Sequence, residues 1–463
     1  MPSLTSFSVR LAALVLCLTA GPALSAPDPV LRDQALETLK RGIAFRTVAG
    51  AGQTAAYAAY LKGVLLAAGY RDSDILIEPM NGTAFLIARY PGTDPTAKPL
   101  VINGHMDVVE AKAADWTRDP FTPVIENGYI YGRGATDNKF DVSAAVTVLG
   151  KLRREGWKPR REVILALSGD EETLMATTAE LALRLRNAVL VLNVDGGGGG
   201  LLDGKPVAYG IQGAEKTYAD FTLTVTDPGG HSSRPTPGNA IYRLAQALSK
   251  VQAYAFPVQF NDITRGAFAA AARNTPGPMG AAMAKFAAHP TDAAAIATLS
   301  ADLSENPSLR TTCVATQLSG GHAPNALPQR AEATVNCRIF PGTSSENVRQ
   351  TLAKVIEDPS VSITRQKDGA IDAPASPLRA DVMAAVSKAV HARYPGLPIV
   401  PLMESGATDS MYFRAAGIPS YGISGMFTQS GDSFVHGLNE RAPLSTLDGA
   451  LAHYDVLFRE LAK

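Results

Sequence analysis

Cysteine is scarce: three residues in 463, at positions 17, 313 and 337. That scarcity excludes a zinc site built from thiolates. Neither sign of charge predominates, because Lys and Arg total 43 and Asp and Glu total 43. No basic block or basic-aromatic stretch is present to track a phosphate backbone, so nucleic acid is not an expected partner. A membrane-spanning run is missing too. The apolar run at residues 11–20 is shorter than the roughly 20 residues a spanning helix needs. Arg10 precedes it and Ala23-Leu24-Ser25-Ala26 follows, the pattern of a secretory signal peptide. Residues 1–26 are therefore expected to be removed, leaving an exported protein, periplasmic or secreted, with no stable membrane span. Export would permit a disulfide between Cys313 and Cys337; two inert buried thiols fit the same residues.

The length favours more than one core. Residues 29–45 and 54–68 carry apolar side chains at helical intervals. Strands are predicted at 83–90, 100–103, 162–167 and 188–194, alternating with helices at 140–155 and 177–185. Short apolar strands separated by helices point to a largely parallel α/β sheet covered on both faces. The pattern changes near Gly210. Strands at 218–225, 312–318, 331–340 and 361–365, with helices at 239–248 and 347–356 and a helix-rich stretch at 252–305, suggest an α+β layer inserted into the first domain. The α/β pattern resumes with helices at 380–392, 411–416 and 447–461 and a strand near 399–402. The expected division is a catalytic domain in two parts, 27–213 and 369–463, around an inserted lid at 214–368.

Polar residues recur where predicted strands end, and ligands of open α/β sheets gather there. His105 and Asp107 follow one strand, Asp170-Glu171-Glu172 another, and Asp195 a third. An imidazole and several carboxylates suit zinc, cobalt or manganese. Each position also has an ordinary explanation. Asp137 opens an apolar helix and could cap it, the acidic triplet could be a solvated loop, and the glycines 196–200 could be a slack turn. His105, His231, His322 and His436 all lie in Gly- or Ser-rich polar loops. Their joint placement favours a metal hydrolase.

Four ordered motifs carry a resemblance. Gly104-His105-Met106-Asp107-Val108-Val109, Gly132-Arg133-Gly134-Ala135-Thr136-Asp137-Asn138-Lys139, Ser168-Gly169-Asp170-Glu171-Glu172 and His436-Gly437-Leu438-Asn439-Glu440 together resemble the M20 zinc peptidases and amidohydrolases. The resemblance implies a zinc-peptidase-like α/β catalytic domain with an inserted α+β lid. It implies two divalent metal ions, zinc foremost with cobalt or manganese as alternatives. His105 and Asp195 would hold one ion, Glu172 and His436 the other, and Asp137 would bridge them. Glu171 would be the general base and Asp107 the support of His105, with the Asp137–Asn138 bond in the cis form. In the lid, His231 would contact the substrate carbonyl, reaching the partner's site in a homodimer. Asn325, Arg338, Gly406 and Thr408 would bind substrate, and Asp409 would cap the helix that follows it.

The long stretch 252–305 resembles the larger carboxypeptidase S and N-acyl-amino-acid hydrolase branch. The expected activity is that of a carboxypeptidase or N-acyl-amino-acid amidohydrolase acting beside a free carboxylate in a small peptide or N-acyl amino acid. An aminopeptidase or dipeptidase is the enzymatic alternative, and a non-catalytic peptide-binding protein the other. Metal binding by itself does not need Glu171, which argues for the enzyme.

Overall fold

Strands Leu100–His105, Val163–Ser168 and Leu190–Asn193 are buried along their whole lengths. Runs rich in Val, Ile and Leu fit such a doubly covered position. In the computed structural model, which describes residues 28–463 apart from 368, 430 and 433, they lie at the heart of a ten-stranded sheet. The expected signal peptide lies outside the described residues. Along the sheet run Ile75–Met80, Thr83–Tyr90, Val163–Ser168, Leu100–His105, Leu190–Asn193, Ser420–Gly422, Lys205–Glu215, Gly198–Leu202 and Phe427–Gln429, while Ile399–Glu404 pairs with Lys205–Glu215 off this path. The parallel expectation holds for four central strands, Val163–Ser168 through Ser420–Gly422, and for two further pairs, Ile399–Glu404 with Lys205–Glu215 and Phe427–Gln429 with Gly198–Leu202. Antiparallel pairs extend the sheet on either side.

Helices cover both faces. Pro29–Ala44, Thr54–Ala67, Lys139–Arg154, Ala380–Arg393 and Leu447–Leu461 bury their apolar sides in one large core, and the opposite face holds a smaller cluster around Phe85, Leu181 and Phe413. Pro29 opens the first helix, and the Asp28 carboxylate accepts the N–H groups of Val30 and Leu31. Among the described residues no helix is long and apolar enough to cross a membrane.

The glycine run is ordered rather than slack. Gly198–Leu202 is a strand between Lys205–Glu215 and Phe427–Gln429. A side chain at Gly199 would meet the Phe427 ring, and Gly197, at φ 71°, approaches the carbonyls of Gly422 and Gly210. Only glycine permits that approach.

After Glu215 the chain enters a second, antiparallel sheet. Its order is Thr312–Gly320, Arg330–Ile339, Thr217–Thr226, Val361–Arg365, with helices Ala240–Ala253 and Ser345–Ile356 sharing its core. Cys313 and Cys337, directly opposed on neighbouring strands, are joined in a disulfide. The stretch 252–305 falls within the span 214–368 that the sequence division gives to the lid. Its helices build their own apolar cluster around Phe268, Met283, Phe286 and Leu299. Helix Asp262–Ala271 packs on Ile399–Glu404 of the large sheet. There Gly213 and Gly266 leave room for Ile263 and Pro401. Apolar side chains of this helix find cover on the larger sheet, which the strand pattern alone does not reveal.

Candidate metal centre

Three neighbouring parallel strands bring their carboxyl ends, and the residues that follow them, to one place. His105 ends its strand opposite Ser168, Glu171 and Glu172 follow Val163–Ser168, and Asp195 follows Leu190–Asn193. Asp137 precedes helix Lys139–Arg154, and its bond to Asn138 is cis. His436 arrives from the far end of the chain on a loop before Arg441–Pro443.

The Asp137 carboxylate faces both histidines. Its Oδ1 lies 2.8 Å from His105 Nε2, and its Oδ2 lies 3.2 Å from His436 Nε2. His105 Nε2 is also 3.9 Å from Asp195 Oδ2, and His436 Nε2 is 3.0 Å from Glu172 Oε1. Two candidate ligand clusters result: His105, Asp137 and Asp195, and then Asp137, Glu172 and His436. A third grouping joins His105 to Glu171 and Glu172. Electrostatics agree with a cationic occupant. Burial pushes the carboxyl groups of Glu171 and Asp195 well above the usual carboxylate range, and neighbouring acids add to the effect. Burial opposes charge on His105, yet hydrogen bonds to Asp107 and Asp137 hold it well above its usual value. Hydrogen bonds to Asp137 and Glu172 push His436 up to about 10. Divalent ions would relieve the repulsion among these acids, and the donor set fits a dinuclear centre of zinc, cobalt or manganese.

Asp107 acts on two neighbours. His105 Nδ1 is 3.0 Å from its carbonyl oxygen and 3.4 Å from its Oδ1. Its carboxylate accepts the N–H of Glu171 at 3.1 Å and of Glu172 at 3.0 Å. One residue therefore positions both the ring of a candidate ligand and the acidic loop.

Further supports are missing from the sequence reading. Glu440 accepts the N–H groups of Gly134, Thr136 and Asp137, and pairs with Arg133. Arg133 in turn donates to the carbonyls of His436 and Gly437. Asp409 does not cap helix Ser410–Ala415 with its side chain. Its buried carboxylate accepts from Asn103 at 3.0 Å, from Ser168 at 2.6 Å and from Thr178. Asn193 accepts the Asp195 N–H at 2.9 Å. A usable signal existed: Asn103 and Asn193 each lie two residues before a candidate ligand, in strands otherwise apolar, and buried amides need partners.

The lid residues fall into two places. Exposed His231 lies on strand Gly230–His231, which pairs with Ala326–Leu327, and exposed Asn325 precedes that partner strand, its carbonyl accepting the Ser232 N–H. His231 Nδ1 accepts from the Ser233 hydroxyl at 2.8 Å, and neither residue joins the ligand clusters found among the described residues. Arg338, stacked 4.7 Å over Tyr218, reaches across from the lid and donates to the Ser405 carbonyl at 2.6 Å, next to exposed Gly406. Thr408 is buried beneath that loop, donating to Glu215 and accepting from Asn193. Glu215, at the exit to the lid, is ion-paired with Arg414 at 2.8 Å.

Residues 101–460 match the model of peptidase family M20/M25/M40. The chain belongs to this family. As an M20-type chain it resembles the probable carboxypeptidase S-like 2 of Dictyostelium discoideum, at 28% identity over 82% of this chain and 74% of that one. It also resembles the N-fatty-acyl-amino acid synthase/hydrolase PM20D1 of Xenopus tropicalis, at 29% identity over 83% and 76%. Among solved structures, the M20 family metallo-carboxypeptidase Sso-CP2 of Sulfolobus solfataricus shares the fold with a TM-score of 0.70 at 21% identity, covering 93% of this chain and 99% of that one. Family, fold and ligand clusters agree: this M20 chain is a metallopeptidase or amidohydrolase.

Proposed function

We propose that this chain is an exported di-metal hydrolase that cleaves the amide bond beside a free carboxylate. Its substrate is a small peptide losing its C-terminal residue, or an N-acyl amino acid. The observation carrying this reading is the reach of Arg338 to the Ser405 carbonyl beside Gly406. A guanidinium there offers the planar fork that suits a carboxylate. The relatives named as a carboxypeptidase and as an N-fatty-acyl-amino acid synthase/hydrolase fit the same reading. The Cys313–Cys337 disulfide supports export, since such bonds persist in oxidising compartments.

In this reading His105, Asp137 and Asp195 hold one ion, and Asp137, Glu172 and His436 hold the other. Bound divalent ions would polarise the scissile carbonyl and bring water near neutral acidity. Glu171 takes the proton from the attacking water and returns it to the departing nitrogen. Asp107 keeps Glu171 and His105 in mutual register. His231 binds the carbonyl from a partner subunit, and Asn325 lies beside it; Gly406 and Thr408 shape the loop that faces the carboxylate.

Three forms of one dipeptide test the proposal: N-blocked, free-amine and C-amidated. Amidation should abolish turnover while N-blocking leaves it. Equal cleavage of the amidated form, or a strict need for the free amine, overturns the reading in favour of an aminopeptidase or dipeptidase.

A further inference from the structure

Large apolar side chains stand exposed beside the candidate metal centre. Leu174, Phe434, Val435 and Leu438 are 65%, 38%, 42% and 53% exposed. Leu174 lies two residues after Glu172, and the other three lie within two residues of His436. The two loops meet where His436 contacts Glu172. Single exposed apolar residues are ordinary, but several gathered on the loops of a reacting centre mark a binding surface.

The His436 loop is braced. The Arg441 guanidinium lies 4.4 Å over the Phe434 ring, and its Nε donates to Asp432 at 2.9 Å. Arg133 holds the carbonyls of His436 and Gly437 from below. Phe434 is thus held against Arg441, and the backbone between Val435 and Leu438 is tied to Arg133. Each of the four lies within two residues of a candidate metal ligand, Glu172 or His436, so a substrate seated at these clusters passes beside them.

We propose that Leu174, Phe434, Val435 and Leu438 form an apolar rim that receives the acyl chain of an N-acyl amino acid and sets the preferred chain length. This rests on the function proposed above. A carboxylate and an acyl chain leave the scissile amide in opposite directions, and the two recognition groups come from different elements: Arg338 from a lid strand, the rim from the Glu172 and His436 loops.

The test is a series of N-acetyl, N-hexanoyl and N-decanoyl derivatives of one amino acid. Wild-type kcat/KM should rise by about two- to fourfold per methylene while the chain lies on the rim. The Val435→Ser/Leu438→Ser double variant, and separately Leu174→Ser, should lower the decanoyl-to-acetyl ratio of kcat/KM by about tenfold. That ratio is read within one protein, so a smaller folded or metal-loaded fraction does not alter it. An unchanged ratio in both variants, or a flat wild-type series, overturns the rim while leaving amide hydrolysis standing. Wild-type enzyme that cleaves C-terminal residues from peptides but no N-acyl amino acid overturns the rim and narrows the proposed function. No cleavage of either substrate class overturns the function itself. Variants that lose a dimer yet keep the ratio would assign the surface to a second copy and reject the acyl site.

Discussion

Arg133 Nη1 lies 2.7 Å from Glu440 Oε2, and both side chains are withdrawn from water. Glu440 also gathers three backbone N–H groups from the loop ending at Asp137. The pair thereby clamps the Asp137 loop to the His436 loop, which are separated by most of the chain.

Removing one partner strands the other. Glu440→Ala leaves Arg133 charged and buried, with three N–H groups deprived of their acceptor. A loss of about 3–5 kcal/mol in unfolding free energy is expected. Chemical denaturation checks it, and metal analysis of the purified variant should show fewer bound ions. Wild-type stability and wild-type metal content together would reject the clamp.

Glu171→Gln keeps the size and the backbone N–H that Asp107 holds, but loses the basic oxygen. Turnover should fall by at least about a hundredfold. Metal content should stay near that of the wild type, because the two proposed ligand sets do not use this side chain. Undiminished hydrolysis removes Glu171 from the role of base.

His453 gives a pH dependence away from the metal centre. Burial lowers its pKa to about 4, with its Nε2 3.0 Å from the Tyr209 hydroxyl. Below its ordinary value near 6.5 the unfolded chain binds a proton that the folded chain refuses. Stability is therefore full above about pH 6.5 and is lost as pH falls from there toward 4, by roughly 3 kcal/mol in all. Unfolding curves of His453→Gln, compared with wild type at several pH values, should show a shallower decline across that window. Parallel curves would reject the assignment.

The Cys313–Cys337 bond closes a loop with a sequence separation of 24. Chain-entropy reasoning gives about 3 kcal/mol for a loop of that size. The Cys313→Ser/Cys337→Ser double variant should unfold at lower temperature, with early proteolytic cuts in the lid strands. An unchanged melting temperature under oxidising conditions would show that the bond contributes nothing.

Much of the site was legible in the chain because its parts are local. His105, Glu171, Glu172 and Asp195 each follow a short apolar strand, and parallel packing brings such ends to one edge. Asp137 was ambiguous: its helix-opening position suits a cap, and its two-sided contact with His105 and His436 exists only once distant loops meet. Asp409 misled for a related reason. A carboxylate before a helix reads as a cap, while in the fold stronger partners, Asn103, Ser168 and Thr178, converge on it from separate elements.

Sequence alone determined the alternation of strands and helices, the ordered motifs and the residue types able to hold metal, since these depend on periodicity and chemistry within short windows. The tertiary structure decided which of those residues meet, that the glycine run is a strand, that helix Asp262–Ala271 lies on the large sheet, and that Cys313 opposes Cys337. Those outcomes depend on contacts between segments far apart in the chain, whose geometry is set by strand register and shared burial rather than by local preference.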